Sequence, residues 1–295
     1  MEVLVPRKAP GAKAKGLGAQ LRVCREKAGL NLREAAEAVD WDKSTLSRLE
    51  TGKRKMTVEE VAQLLGVYRV RGAAKDELLA TVRTMDEPGW WDQGLQGLPK
   101  ESLTLAEYEA DAAQITNWAP LLIPGLLQTM DYARAWLIAT GTDPGGAELR
   151  LTARLRRQQI LNTGLKYTAF IGEPALRTPV GDAATSARQL AAIREIGKRR
   201  NVSIRVVPNG TGPHEGQLGS FVALEFTTAP PVVLVELLRS SVFMDDDRQT
   251  GPYLETLSRL THVALSETES ARLITGMQAR WKTHDGAGGL EEVQL

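Results

Sequence analysis

Apolar residues from Leu17 to Thr84 recur at helical spacing, interrupted by short polar turns, and the clearest pair of helices brackets residues 31–54. Asn31 and Glu34 are spaced as a capping box, so a helix opens near Leu32 with Ala35, Ala36 and Val39 on its inward face. The alanine pair lets a second helix cross closely. Asp40 stands where the turn requires a left-handed residue, and Asp42 caps the helix that follows. There Trp41, Leu46 and Leu49 have the spacing to pack inward, leaving Lys43, Ser44, Ser47 and Arg48 outward. Gly52 is placed to end that helix, and Thr51, Lys53, Arg54 and Lys55 around it suit contact with phosphate.

The flanking pattern completes an all-α, five-helix domain over residues 16–84. One helix runs Leu17–Ala28; another, opened by a Thr57/Glu60 capping box with Met56 and Val61 as its hydrophobic staple, runs through Tyr68; a last one covers Ala73–Thr84. Residues 1–15 read as a disordered basic arm and 85–102 as a packed linker carrying Trp90 and Trp91. Residues 103–282 mix signals and predict an α+β domain, a small sheet flanked by helices. Helices are expected over 103–118, from Thr129 to Thr140, from Glu148 to Asn162, from Ala184 to Arg199, from Tyr253 to Ala264 and from Ser266 to Trp281. Strands are expected at KYTAFIG, VSIRVVP, SFVALEF and PVVLVEL. Residues 283–295 read as a flexible tail.

Charge divides with the domains. Residues 1–84 carry 17 Lys and Arg against 11 Asp and Glu, a balance of +6 that leaves −5 for the rest of a chain whose net charge is +1. The whole-chain value therefore conceals a basic end suited to nucleic acid and an acidic body. The lone Cys24 excludes an internal disulfide framework and fits a reducing cytoplasm, where it reads as a small core residue. No stretch has the length and apolarity of a signal peptide or membrane span, so a cytoplasmic, nucleoid-associated protein is expected.

Ala36, Trp41, Ser44 to Glu50, Gly52 and Lys53 together resemble the Xre class of helix-turn-helix regulators, which includes the phage repressors. That resemblance implies a lambda-repressor-like fold, with Lys43, Ser44, Ser47 and Arg48 reading bases in the major groove and Arg25 pairing with Glu50 to brace the reading helix. Asp40 departs from the usual turn glycine, and Leu32 from a polar residue that often touches phosphate. Residues 107–118, Ile123 to Thr129 with Tyr132 and Ala133, Arg154 to Gln158, Gly172 to Arg177 and Gly219 to Phe221 resemble the domain that follows this motif in actinobacterial regulators of the WhiJ kind. Transcriptional control, often beside a gene for a small partner protein in an antitoxin-like arrangement, is what this implies.

Catalytic signatures are sparse. His214, His262 and His284 lack metal-ligand spacing, and no phosphate loop, dinucleotide fingerprint or nucleophile elbow is present in the sequence. The expectation is a non-enzymatic protein without cofactor or metal that binds double-stranded operator DNA as a homodimer. The alternatives are an antitoxin-like binding module and an enzyme localised by its DNA-binding end. Candidate ligand or partner contacts are Glu173, behind a strand and glycine; His214, in a glycine-rich loop; and Arg154 and Arg157, on a basic helix.

Overall fold

The computed structural model describes residues 11–85, 97–238 and 240–284. It divides into two compact units. The first holds the described residues through Ala112 with Glu225–Val232 and Asp245–Asp247; the second holds Ala113–Leu224, Val233–Met244 and the described residues from Arg248. The expected residues 1–10 of the arm, 86–96 of the linker and 285–295 of the tail lie outside the described residues.

The first unit opens with α1 (Ala12–Lys27), α2 (Leu32–Glu37), α3 (Lys43–Glu50), α4 (Val58–Val67) and α5 (Ala73–Met85). These are the five helices the spacing predicts, and one core holds them. Leu17, Leu21, Ala35, Ala36, Leu46, Leu49, Val61, Leu64 and Leu65 are all at most 1 % exposed. The capping boxes at Asn31/Glu34 and Thr57/Glu60 are both formed. Helix α1 starts at Ala12, earlier than Leu17, so part of the expected arm is ordered. Lys15 is buried, and its ammonium donates to the Tyr108 hydroxyl and pairs with Asp245. Tyr108 belongs to α6 (Lys100–Asp111), which falls in the first unit, so this unit extends past the boundary expected near residue 102 to Ala112.

The second unit contains a six-stranded sheet with helices around it. Its strands are β1 (Gln114–Ala119), β2 (Lys166–Gly172), β3 (Val202–Val207), β4 (Phe221–Glu225), β5 (Val232–Glu236) and β6 (Ser241–Met244), in the order β3-β2-β1-β4-β5-β6. β1, β2 and β3 are parallel neighbours, with Ile115 opposite Tyr167 and Tyr167 opposite Val202. Parallel pairing needs long crossovers. They are supplied by α7 (Met130–Ala139) and α8 (Pro144–Gln158) before β2, and by α9 (Glu173–Arg177) and α10 (Ala183–Ile196) before β3. α11 (Asp247–Val263) and α12 (Glu267–His284) follow β6.

Two expectations need correcting here. Residues 103–118 are not one helix: α6 ends at Asp111, and 114–119 form β1 in the middle of the sheet. Ile115, Thr116, Trp118 and Ala119 are buried, and a strand covered on both faces shows no alternation to betray it. β6 was also not expected; it pairs antiparallel with β5, Val235 opposite Val242. One apolar cluster of the unit gathers Trp118, Phe170, Val207, Phe221, Val233, Leu257 and Leu260. Among the described residues no helix is long and apolar enough to cross a membrane.

Candidate nucleic-acid interface

The α2–α3 turn is built from local chemistry. Asn31 Oδ1 accepts the amides of Arg33 and Glu34 at 2.9 and 3.0 Å, while Glu34 accepts the Asn31 amide at 2.8 Å. Asp40 takes φ 58°, and the Trp41 amide donates back to the Ala36 carbonyl at 2.9 Å. Aspartate adopts this left-handed geometry more readily than most side chains, which is how it stands in for glycine.

Asp42 then fixes the start of α3. Its carboxylate accepts the Ser44 hydroxyl at 2.5 Å, the Thr45 hydroxyl at 2.6 Å and the Thr45 amide at 2.9 Å. The Ser44 and Thr45 donors hold it well below the usual carboxylate range. The far end closes on Gly52 at φ 68°: the Gly52 amide reaches Leu49 O at 3.0 Å and the Lys53 amide reaches Arg48 O at 2.8 Å. This is the paired bonding of a Schellman cap.

A buried ion pair sets the position of α3 in its core. Arg25 Nε and Nη2 donate to the two Glu50 carboxylate oxygens at 2.7 and 3.0 Å, and Nη1 donates to the Leu30 carbonyl at 2.9 Å. The two side chains are 8 % and 5 % exposed. The bond to Glu50 raises the Arg25 pKa, so the guanidinium stays charged despite its burial. All three guanidinium nitrogens are engaged, which is the condition under which a buried charge is tolerated.

The outward edge carries the expected groups in unequal states. Lys43, Ser44 and Arg48 are exposed and Ser47 is half-buried. Arg48 lies along its own helix, donating to Ser44 O at 3.2 Å and Ser44 Oγ at 3.4 Å. Ser44 therefore serves both the cap and Arg48. Thr51 is exposed, but its hydroxyl donates to Ser47 O at 2.8 Å. Lys53 and Lys55 are exposed beyond Gly52.

Arg54 departs from the expected phosphate contact. Its Nη2 donates to Glu60 at 2.5 Å and its guanidinium lies 5.6 Å from the Trp41 ring centroid, so it fastens the start of α4 to the turn before α3. The capping-box acid at 60 was the available signal, since one of its oxygens is left over for a neighbouring cation.

In the second unit the candidate contacts do not converge. Glu173 is buried, accepts the Asn209 amide at 2.9 Å and pairs with Arg177; the Asn209 amide and Arg177 lower its pKa. It ties the start of α9 to the end of β3, so its place is structural rather than that of an open binding group. His214 packs edge-on against Trp118 with centroids 5.7 Å apart, while Trp118 Nε1 donates to Gly216 O at 2.7 Å. The glycine-rich loop is thereby pinned to β1, and Pro213, His214, Gln217, Arg259 and His262 line a shallow, open cleft beside it. Arg154 and Arg157 are half-buried on α8, where Leu151 and Ala153 bury the helix's inward face. Among the described residues no group of three His, Cys, Asp or Glu is arranged to hold a metal.

Lys15 escaped the sequence reading. The small residues around it were a signal: a Cβ at Gly18 would lie 2.5 Å from the Glu50 carbonyl, so α1 can approach the end of α3 only with glycine there.

A capped helix pair, a left-handed turn and an exposed basic edge on the second helix define a helix-turn-helix protein of the regulator kind. Residues 16–78 match the family described as Helix-turn-helix domain. Residues 103–276, more than half of the chain, match the family described as Domain of unknown function (DUF5753), and the chain belongs to that family. Neither the curated proteins nor the solved structures yield a match.

Proposed function

We propose that this chain is a transcriptional regulator of the Xre type that reads duplex operator DNA with the exposed edge of α3. The observation that carries the reading is the state of that helix. It is capped at both ends and braced by the Arg25–Glu50 pair, while Lys43 and Arg48 stand exposed and Lys53 and Lys55 follow at its end. A rigid helix presenting donors is suited to base edges, and cations beyond its end are suited to phosphate.

The protein acts as a homodimer on a near-palindromic site, because one such helix reads only a few base pairs and two held about 34 Å apart read successive turns of the groove. Control enters through the second unit from a small ligand or a small partner protein, as the likeness to WhiJ-type regulators with their antitoxin-like gene arrangement suggests. The chain works by binding rather than turnover, at the nucleoid in the cytoplasm. The test is selection of bound sequences from random duplex DNA by the full chain, followed by footprinting. A recurrent two-fold site is expected; retention without sequence enrichment would overturn the reading.

A further inference from the structure

Buried polar groups in the second unit mostly find protein partners. Gln189 bonds the Leu127 carbonyl at 2.8 Å, Arg205 bonds the carbonyls of Thr261, Ala264 and Leu265, and Ser270 accepts the Val206 amide at 2.9 Å. Among the described residues Gln128, Tyr132 and His214 each bury one unpartnered polar atom, and Arg154 buries two. Its Nε and Nη1 are fully buried, and among the described residues neither meets a hydrogen-bond acceptor. Arg54 also buries one unpartnered nitrogen, but its guanidinium holds Glu60. Among the described residues Arg154 holds no carboxylate.

The surroundings favour an incoming negative group. Arg157 and Arg150 stand close enough on the same helix to push down the Arg154 pKa, and Glu236 at the end of β5 opposes them without closing an ion pair. Burial is the largest cause, and together they bring the group to about 10. Beside the guanidinium lies the short 3-10 turn Gly125–Leu127, where a Cβ at Gly125 would sit 3.5 Å from Arg154 Nε. Gln158, one turn along α8, fixes this segment by donating to Gly125 O at 3.1 Å and Gln128 O at 2.7 Å. Guanidinium nitrogens removed from water without an acceptor are costly, and such groups in a folded protein call for a compensating contact.

We propose that Arg154 anchors an oxyanion site in the second unit, taking the phosphate or carboxylate group of a small molecule beside the Gly125 turn. With Nε and Nη1 sealed, the anion takes the Nη2 edge of the guanidinium, beside the Gly125 turn that Gln158 holds. Arg150 and Arg157 draw it in, and a charge-assisted bond from Nη2 to an anionic oxygen is among the strong hydrogen bonds. This deepens the reading of the second unit as the part that receives a signal, and rests on it only for the ligand's purpose. The measurement needs no DNA, so loss of either result leaves the other standing.

The test is thermal melting of the full chain in chloride against inorganic phosphate or acetate at matched ionic strength. Wild type should gain about 3–6 °C at a tenfold excess of the effective anion over its dissociation constant. Arg154→Met should melt no lower than wild type in chloride, because it removes an uncompensated charge, and should lose the anion response. Gly125→Ala keeps the charge, places a methyl at ordinary contact distance from Nε, and should weaken the response several-fold while leaving the fold intact. A response to phosphate alone assigns a phosphoryl ligand, and one to acetate alone assigns a carboxylate. No gain over chloride with either anion, or an undiminished gain in Arg154→Met or Gly125→Ala, would overturn the proposal.

Discussion

Two arginines sit inside this molecule under opposite terms. Arg25, in the helical first unit, has all three nitrogens engaged by Glu50 and the Leu30 carbonyl, and its pKa rises. Arg154, in the second unit, buries two nitrogens that meet no acceptor among the described residues, and its pKa falls. The same side chain is thus a fastening in one region and an unspent charge in the other. Burial alone does not distinguish a structural cation from a binding one; what separates them is whether the surrounding protein already supplies the counter-group.

The most severe way to break that contrast is Arg25→Met, which strands the Glu50 carboxylate in the core. It should cost about 3–5 kcal/mol of stability, read by urea unfolding of the full chain, and replacing Arg25 and Glu50 together by apolar residues should recover much of the loss. Equal and additive losses would mean the two charges do not support each other.

Arg48→Ala sharpens the comparison with an arginine that is exposed. It should leave unfolding nearly unchanged and weaken binding to the selected DNA site by about 1–3 kcal/mol, measured against nonspecific duplex. Lys53→Ala should instead lower affinity for all sequences alike and reduce the salt slope by about one. An Arg48→Ala variant that loses specific and nonspecific binding equally would remove Arg48 from base reading.

The smallest effect is acid sensitivity at the start of α3. Asp42 has a depressed pKa in the folded state, so its stabilising contribution is complete above the ordinary aspartate value, near pH 4, and fades as pH falls below it toward the depressed value. Asp42→Asn cannot titrate and should show a flatter stability profile across that acid range. Identical acid profiles for the two proteins would show that the Asp42 carboxylate titrates alike in the folded and unfolded chain.

What was legible in the sequence was what the chain decides within a few residues. The Asn31/Glu34 box, the turn at Asp40, the Asp42 cap and the Gly52 stop each depend on groups at most five positions apart, and each is present. What was not legible depends on distant partners. Residues 114–119 continue an apolar run that suits a helix as well as a buried strand, and only the pairing with 166–171 decides between them. Lys15 looks like part of a soluble tail until Tyr108 and Asp245, 93 and 230 positions away, are brought beside it. Glu173 is held by Arg177 one turn along and by the Asn209 amide 36 positions away, and only the first of these could be seen locally; for Arg54 the capping-box acid Glu60 stood within reach but does not by itself say which cation it takes.

The close approach at Gly52 bears on where the chain can be cut. A Cβ there would lie 2.8 Å from the Lys15 backbone nitrogen, so the stop of α3 rests on residues that precede the matched stretch 16–78. Lys15 in turn spends its charge on Tyr108 and Asp245, which fall inside the other matched stretch, 103–276. A fragment trimmed to the first match would remove the surface on which α3 ends, and one that kept Lys15 but stopped at Met85 would leave an ammonium facing the gap left by its partners. The portable reading head of this protein is larger than the stretch that resembles one.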